Sequence, residues 1–283
     1  MALQFDLAVL VLIAAFAHAA WNALLKSSGD PLLTFTMLRG VAFIGGAAAA
    51  VFLPVPAAES WPYLIASAII HNAYYLLLLF AYRHGDLSLV YPIARGGAPF
   101  MVAMLAALFA AEVPGPAGAA GVLLVSAGIL GLAFAHGMPR GANATAILLA
   151  VGTAVSIALY TIADGLGTRR SGDALAYAAW LYIWDGLPFL LYMGLRRGSD
   201  AIEYARRDWR RGLAGGLLMM GTYALVLYAF TQGAMATVAA LRETSVLFAA
   251  IIGAVALKEP LGLRRFAAAA VIVAGIVLLQ LSR

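Results

Sequence analysis

The chain has 283 residues, of which 64% are hydrophobic and 11% charged, and its mean hydropathy is +0.94. This composition excludes an ordinary soluble domain, in which only part of each helix faces an apolar core. The net charge of +5 and the pI of 9.6 do not indicate nucleic-acid binding, because most basic residues lie in short segments beside apolar runs. The absence of cysteine excludes disulfides and thiolate metal sites.

Ten apolar runs have roughly the 20-residue length that spans a bilayer, so we predict an all-α integral membrane protein. They cover 5–25, 32–53, 61–82, 87–110, 117–135, 143–163, 173–195, 211–230, 235–257 and 265–281. The first run contains a possible signal-peptidase site at 17–19, but no Lys or Arg precedes it, so we predict a retained span. Ten spans leave no loop long enough for a soluble domain, and the function is therefore expected among the helices.

The first predicted span has a polar stripe. His18, Trp21, Asn22 and Leu25 recur at i, i+3, i+4 and i+7 and lie on one face of a helix. Trp21 and Asn22 are candidates for substrate binding, since an indole can stack on a ligand or face a cation. His18 is a candidate for proton coupling. Alternatively, these polar side chains bond only to neighbouring helices, for about 0.6 kcal/mol each.

Tyrosines fall in the middle of two predicted spans. The third span has His71 and Tyr75 one turn apart, and Tyr223 lies 148 residues further on, in the eighth span. Aromatic residues at span ends usually mark the membrane interface, but these tyrosines lie deeper, where a hydroxyl needs a partner. We predict that His71, Tyr75 and Tyr223 line a substrate cavity.

The fourth span contains an arginine between two prolines. In lipid, Arg95 would cost from about 3 kcal/mol upward, so it should face protein or a water-filled cavity. Pro92, Gly96, Gly97 and Pro99 predict a broken helix at this point, which would act as a hinge. A broken segment beside a fixed cation suits an anionic ligand. The alternatives are a structural ion pair with a carboxylate and an arginine that reaches the interface.

Two further candidates lie in the sixth and seventh spans. Tyr160 belongs to a polar stripe that ends at Asp164, and its ring could form a flat wall for a ligand. Asp185 lies in the middle of the seventh span. It either pairs with Arg39 of the second span or carries a coupling proton, and the sequence leaves both roles open.

The ninth span carries Arg242 and Glu243. Adjacent residues on a helix point about 100° apart, so we expect one to face the cavity and the other to meet a neighbouring helix. Arg95 and Arg242 together would favour an anionic group, while Glu243 could balance an ammonium or accept a coupling proton. The alternative is that both residues form structural ion pairs with Asp185 or Arg95.

The chain repeats itself at one spacing. Ser-Gly-Asp occurs at 28–30 and again at 171–173, and three pairs are each 147 residues apart: Arg95 and Arg242, Glu112 and Glu259, Gly128 and Gly275. Each half, 1–139 and 140–283, contains five predicted spans. Because five is odd, the second half should enter the membrane from the opposite side, and the site should lie between the halves.

Several segments resemble the EamA-type branch of the drug/metabolite transporter superfamily. They are HAAWNALLK at 18–26, AYRHGDLSLVYPIARGGAP at 81–99 and GLRRFAAAAVIVAGIVLL at 262–279. The resemblance implies a ten-helix secondary carrier, often an exporter of amino acids or other small metabolites. RHGDLSLVYPIARG is similar to members associated with phosphonate utilisation.

We therefore predict a carrier that works by alternating access and moves a small zwitterion or anion, with a proton or a counter-substrate as the driving partner. The sequence has no GxxxxGK[ST] motif and no GxSxG motif, so neither ATP hydrolysis nor enzymatic activity is expected, and no cofactor or metal site is predicted. The rival hypotheses are an exporter of cationic or lipophilic compounds, a membrane-embedded enzyme and a scaffold. Small residues on the fifth and tenth spans fit either an internal contact or a homodimer face.

The expected location is the plasma (inner) membrane, but two arguments disagree on orientation. With the amino terminus inside, the cytoplasmic side would have Arg169, Arg170 and Arg283, and the other side twelve basic residues. The positive-inside rule favours the reverse, with both termini outside. Members of the family commonly have both termini inside and a basic second loop, whereas this loop, PVPAAES, has no basic residue.

Overall fold

A computed structural model describes residues 3–85, 87–133, 144–256 and 263–281, and the regular structure in these ranges is helical throughout. The helices are α1 (Phe5–Lys26), α2 (Pro31–Phe52), α3 (Trp61–His84), α4 (Leu87–Ala110), α5 (Pro116–Ala133), α6 (Ala144–Arg170), α7 (Ala174–Gln232), α8 (Met235–Arg242), α9 (Ser245–Ala256) and α10 (Leu263–Leu281), with a 3-10 turn at Ala58–Ser60. The predicted boundary between the halves, at 139/140, and Glu259 lie outside the described residues.

The helices fit a membrane protein. Seven helical segments within the described ranges are long and apolar enough to cross a bilayer, and α5 and α10 are shorter apolar helices. Large apolar side chains along several helices are exposed on the outer surface, such as Ile44, Ile69 and Leu148. An outer surface of this kind is stable in lipid and not in water, which confirms the predicted all-α membrane class.

Two helices begin with the same cap. Asp30 and Asp173 close the two Ser-Gly-Asp segments, and each side chain accepts hydrogen bonds from the first free backbone N–H groups of the helix that follows. Asp30 Oδ1 accepts from the nitrogens of Leu32 and Leu33, both at 3.0 Å, and starts α2. Asp173 Oδ1 accepts from two nitrogens at 2.7 and 3.0 Å and starts α7. An aspartate at this position satisfies donors that the helix cannot pair itself.

Helix α7 contains two of the predicted spans. Its 59 residues would extend about 90 Å if straight, well beyond the bilayer core of about 30 Å. The backbone leaves helical geometry at Arg197 (φ −143°, ψ 34°) and Asp208 (φ −111°, ψ 24°). These positions bracket a charged helical connection, so the early part of α7, 174–196, and the late part, 209–232, form separate segments.

The predicted break in α4 is not observed. The helix runs from Leu87 to Ala110 through both Pro92 and Pro99. Each proline removes one backbone donor, and helices in membranes tolerate this loss where neighbouring groups satisfy the carbonyl. The break occurs instead in the predicted ninth span, where Glu243 and Thr244 form a turn between α8 and α9.

The glycines of α4 serve helix packing. A Cβ on Gly96 would lie 2.9 Å from Leu130 Cγ of α5, and one on Gly97 would lie 3.3 Å from Ala154 Cβ of α6. Both glycines therefore permit close contact with a neighbouring helix. In this structure they do not interrupt α4.

Packing between helices leaves a space at the centre. Helix α2 packs on α7, α5 on α10, α3 and α4 on α6, and α1 on the long α7. Glycine allows α5 and α10 to pack closely, because a Cβ on Gly275 would lie only 2.8 Å from both Gly121 O and Val125 N. The small residues of these two helices thus form an internal contact, one of the two alternatives that the sequence left open.

Candidate functional site

A cavity of about 470 Å³ lies between α1, α2, α3, α4, α6, α7 and α8. This volume falls within the range of small-molecule sites. The lining combines aromatic rings with a few charged and polar groups. The aromatic members are Trp21, Phe35, Tyr74, Tyr75, Tyr82, Tyr91, Tyr160, Tyr182, Phe189 and Tyr223, and the charged or polar members include His18, Asn22, Arg39, His71, Arg95, Asp185, Thr222 and Arg242.

Most of the residues selected from the sequence meet in this cavity. Eight of the nine substrate-binding candidates line it: Trp21, Asn22, His71, Tyr75, Arg95, Tyr160, Tyr223 and Arg242. The coupling candidates His18 and Asp185 line it too. Glu243 lies directly behind the wall, and the four hinge candidates of α4 do not line the cavity.

One carboxylate is shared by two arginines at the cavity wall. Glu243 Oε2 lies 2.9 Å from Arg95 Nε, and Glu243 Oε1 lies 3.5 Å from Arg242 Nη2. The three side chains are 1%, 6% and 4% exposed, respectively. Neither Arg95 Nε nor Glu243 Oε2 has a well-aligned hydrogen bond, so this contact is an ion pair. The cluster as a whole carries one positive charge in excess.

The turn between α8 and α9 creates this cluster. Helix α8 ends at Arg242, the Thr244 hydroxyl donates to Leu241 O at 2.7 Å, and α9 begins at Ser245. Ser245 Oγ then accepts a hydrogen bond from Arg95 Nη2 at 3.2 Å. Arg242 faces the cavity while Glu243 meets α4, as adjacent residues were expected to do. Glu243 also forms a structural ion pair with Arg95, which was the alternative role predicted for it.

Helices α2 and α7 contribute a second, neutral ion pair. Arg39 Nη1 lies 2.6 Å from Asp185 Oδ2 and donates to Tyr75 Oη at 3.2 Å, while Arg39 Nη2 donates to Asp185 O at 2.9 Å. The guanidinium lies 4.9 Å from the centre of the Tyr75 ring. Asp185 therefore adopts the paired state, which was one of its two predicted roles.

Aromatic contacts hold the remaining candidates in place. His71 stacks on Tyr160 with ring centres 3.9 Å apart, and its Nδ1 lies 3.1 Å from Ser67 Oγ. His18 meets Trp21 edge to face at 5.0 Å, and His18 Nε2 lies 3.4 Å from Arg95 Nη2. These contacts leave little freedom for rearrangement of this wall.

Sequence reasoning missed one buried acid. Asp164 is 0% exposed and accepts hydrogen bonds from the hydroxyls of Tyr177, at 3.1 Å, and of Tyr223. Tyr223 lines the cavity, so Asp164 lies one side chain behind it. The signal was its position one turn after Tyr160 on a polar stripe. No group of three or more His, Cys, Asp or Glu side chains is placed to bind a metal, as far as the described residues extend.

Comparison with known proteins gives a family and a fold. Residues 144–281 match the model of the EamA-like transporter family. A solved crystal structure, titled only "Crystal structure of protein", superposes with a TM-score of 0.73 at 18% identity and covers 97% of this chain and 95% of its own chain. At this identity, the similarity describes the fold alone. The search of curated proteins gave no match.

Proposed function

The chain belongs, through residues 144–281, to the EamA-like transporter family, and on this premise we propose that it is a secondary active carrier for a small zwitterionic or anionic metabolite such as an amino acid. Transport would proceed by alternating access around the central cavity and be driven by a proton gradient or by exchange. The plasma membrane is its proposed location.

The observation that carries this proposal is the excess cation beside an aromatic cavity. Arg95 and Arg242 share the single carboxylate of Glu243, and both arginines line the cavity. An uncompensated charge is expensive at membrane depth, so an anionic group of the ligand would lower the energy of the site. The rings of Trp21 and Tyr160 could hold the remainder of the ligand, including an ammonium group.

The same charge disfavours the rival hypothesis of a cation exporter. Asp185 is already paired with Arg39, and Glu243 is paired with two arginines. A purely cationic ligand would find no free carboxylate on the lining that the structure describes, and it would add to the positive charge already present.

Ten membrane passes in two inverted halves, 1–139 and 140–283, are part of the proposal. The arrangement is supported by the way α7 divides into early and late parts and by the identical caps of α2 and α7. It is also supported by packing: α3 contacts α6 while α7 contacts α1, and α5 contacts α10. These are the pairings expected if α1 corresponds to α6, the late part of α7 to α3, and α10 to α5.

The two ends of the cavity differ, which suits alternating access. The lining reaches Leu25, Pro31 and Tyr82, close to the helix ends on one face. Near the helix ends of the opposite face, Arg169 Nη1 pairs with Glu112 Oε1 at 2.5 Å, and Arg169 also donates to Phe230 O and Gly233 O. We interpret this network as the closed side of the carrier, which rocking of the halves would open.

Ligand-induced stabilisation tests the substrate class. A ligand that binds the folded protein raises its melting temperature by mass action. We expect amino acids or small organic anions to stabilise the purified wild-type protein and to lose this effect in Arg242→Gln. Arg207→Gln, at an exposed arginine outside the cavity, is the matched control and should respond as the wild type does. Stabilisation by cationic dyes together with no response to amino acids or anions would contradict the proposal.

A further inference from the structure

A buried carboxylate beside the cavity is not used by the substrate site described above. In residues 3–85, 87–133, 144–256 and 263–281, the carboxylates with buried side chains are Asp164, Asp185 and Glu243. Asp185 pairs with Arg39, and Glu243 pairs with Arg95 and Arg242. Within the same ranges Asp164 forms no ion pair with Arg or Lys. The hydroxyls of Tyr177 and Tyr223 donate to it, and Ser67 and His71 lie beside it.

The three acids therefore differ in how unfavourable it is to protonate them. Protonating Asp185 or Glu243 would leave a buried guanidinium without its counter-charge, which is strongly unfavourable. Protonating Asp164 would instead remove a buried negative charge that no arginine or lysine of the described chain balances. We propose that Asp164 is the group that binds and releases the coupling proton, an inference that rests on the proposed carrier function.

The groups around Asp164 provide the route to the cavity. Several titratable side chains interact electrostatically with Asp164: His71 of α3, Tyr160 of α6 itself, and Tyr177, Tyr182 and Tyr223 of α7. The permanent charges, Arg95 of α4 and Arg242 of α8, act on Tyr160, and Arg242 also acts on Tyr223. Glu59 of the 3-10 turn packed against α6 is exposed.

Two of these side chains can exchange protons with water in the cavity. Tyr223 and His71 both line the cavity, and Tyr223 bonds directly to Asp164. On the α3 side, Ser67 lies next to Asp164 and also contacts His71 Nδ1 at 3.1 Å. A proton from the cavity therefore crosses one side chain to reach the carboxylate.

Protonation would change the hydrogen bonds of the cavity wall. In the charged state, Oδ1 accepts from Tyr177 and Oδ2 accepts from Tyr223. When a proton forms an O–H bond at Oδ2, that oxygen becomes a donor, and the Tyr223 hydroxyl must either accept from it or turn away. Tyr177 is fixed, because it is fully buried and packs against Gly167. Tyr223 lines the cavity, so rotation of its O–H bond alone would let the hydroxyl donate to a ligand there.

The Tyr223 hydroxyl therefore couples protonation of Asp164 to substrate binding. With Asp164 ionised, the Tyr223 hydroxyl is occupied by the carboxylate. With Asp164 protonated, the same hydroxyl is available to the substrate. Proton binding and substrate binding would then favour each other, as reciprocal linkage requires.

Infrared difference spectroscopy tests the proton site without any substrate. Purified wild-type protein is stepped between low and high pH in H₂O and in D₂O. We expect a protonated-carboxyl C=O band at low pH that is absent from Asp164→Asn and shifted in Asp164→Glu. Asp200→Asn, at an exposed aspartate, should retain the band. An unchanged band in Asp164→Asn would overturn the inference.

Gradient-driven uptake then tests coupling. Vesicles clamped at zero membrane potential receive a mixture of labelled amino acids, with or without a gradient of one pH unit. At one proton per substrate this gradient sustains about a tenfold accumulation, equivalent to about 1.4 kcal/mol. We expect the tenfold ratio in the wild type and in Asp200→Asn, and a ratio near one in Asp164→Asn and Tyr223→Phe.

The two experiments separate the two proposals. A tenfold ratio in Asp164→Asn overturns the coupling role while supporting the carrier function. If the wild type moves none of the labelled amino acids, the proposed substrate class fails, and the infrared band still decides whether Asp164 holds the proton.

Discussion

At the scale of single residues, the cavity is best understood through its charges. For Arg95 the sequence left open a cavity site for an anion and a structural ion pair with a carboxylate. In the structure Arg95 lines the cavity and also lies 2.9 Å from the buried Glu243. Arg242 also contacts Glu243, so the carboxylate keeps one partner when Arg95 is lost. Removing Glu243 leaves both guanidiniums unpaired.

The stability of Glu243 variants follows from this asymmetry. Breaking a buried ion pair by removing one partner costs about 3–5 kcal/mol. We expect Glu243→Gln to be destabilised by about this amount and Arg95→Gln by less. The double variant Arg95→Gln/Glu243→Gln should be more stable than Glu243→Gln alone, because it contains one unpaired arginine in place of two. Thermal unfolding in detergent measures the order of stability among these variants. A Glu243→Gln protein as stable as the wild type would show that Glu243 does not stabilise the two arginines.

Many of the cavity residues could be predicted from the sequence, for a physical reason. Polar groups at helical spacing inside apolar runs have few roles other than facing a cavity or a partner, and Trp21, Asn22, His71 and Arg95 were found in this way. Phe35, Tyr82 and Tyr182 also line the cavity, but aromatic residues in apolar runs do not stand out from core or interface residues. Asp164 was placed at the end of a polar stripe but given no role, because helical spacing does not show that Tyr223, 59 residues further on, is its partner.

At the scale of the helices, the predicted bounds agree with the structure where segment length and hydropathy determine them. The predicted helix break is wrong, because contacts between helices determine where the backbone turns. The predicted spans lie close to the observed bounds of α1 to α5 and α10, whereas α6 continues to Arg170, seven residues beyond its predicted end at 163. Proline and glycine counting placed a break in α4, yet the helix is continuous. The observed break at Glu243 and Thr244 has no glycine or proline, and the turn places Glu243 beside Arg95.

Glycine substitutions test the packing of α5 on α10. A Cβ at Gly275 would overlap backbone atoms of α5 at 2.8 Å, whereas one at Gly131 would find Ala268 Cβ at 4.0 Å. We expect Gly275→Ala to lower the free energy of unfolding by about 1–3 kcal/mol through overpacking. Gly131→Ala is the matched control and should be neutral or stabilising by up to about 1 kcal/mol, as alanine favours helix. Equal melting temperatures for the two variants would argue against a close α5–α10 contact.

At the scale of the whole molecule, basic residues predict the orientation. With both termini outside, the connection at 196–211 in the middle of α7 faces the cytoplasm with its six arginines, in line with the positive-inside rule. The face near Lys26 and Arg83, toward which the cavity lining extends, would then also be cytoplasmic.

A reporter at the carboxyl terminus checks this orientation. A fluorescent protein that matures only in the cytoplasm, fused after Arg283, should stay dark, and alkaline phosphatase at the same position should be active. The same reporters fused within 196–211 should behave in the opposite way. Fluorescence from the carboxyl-terminal fusion would place the termini inside, as is common in the family.

Counterflow in sealed vesicles tests the central claim, carrier function, most directly. Purified protein is reconstituted into vesicles loaded with unlabelled amino acids, and trace labelled amino acids are added outside. We predict that label accumulates chemically unchanged, that accumulation requires the internal load, and that Arg242→Gln abolishes it. Uptake no faster than in protein-free vesicles, or recovery of the label as a different compound, would contradict carrier function.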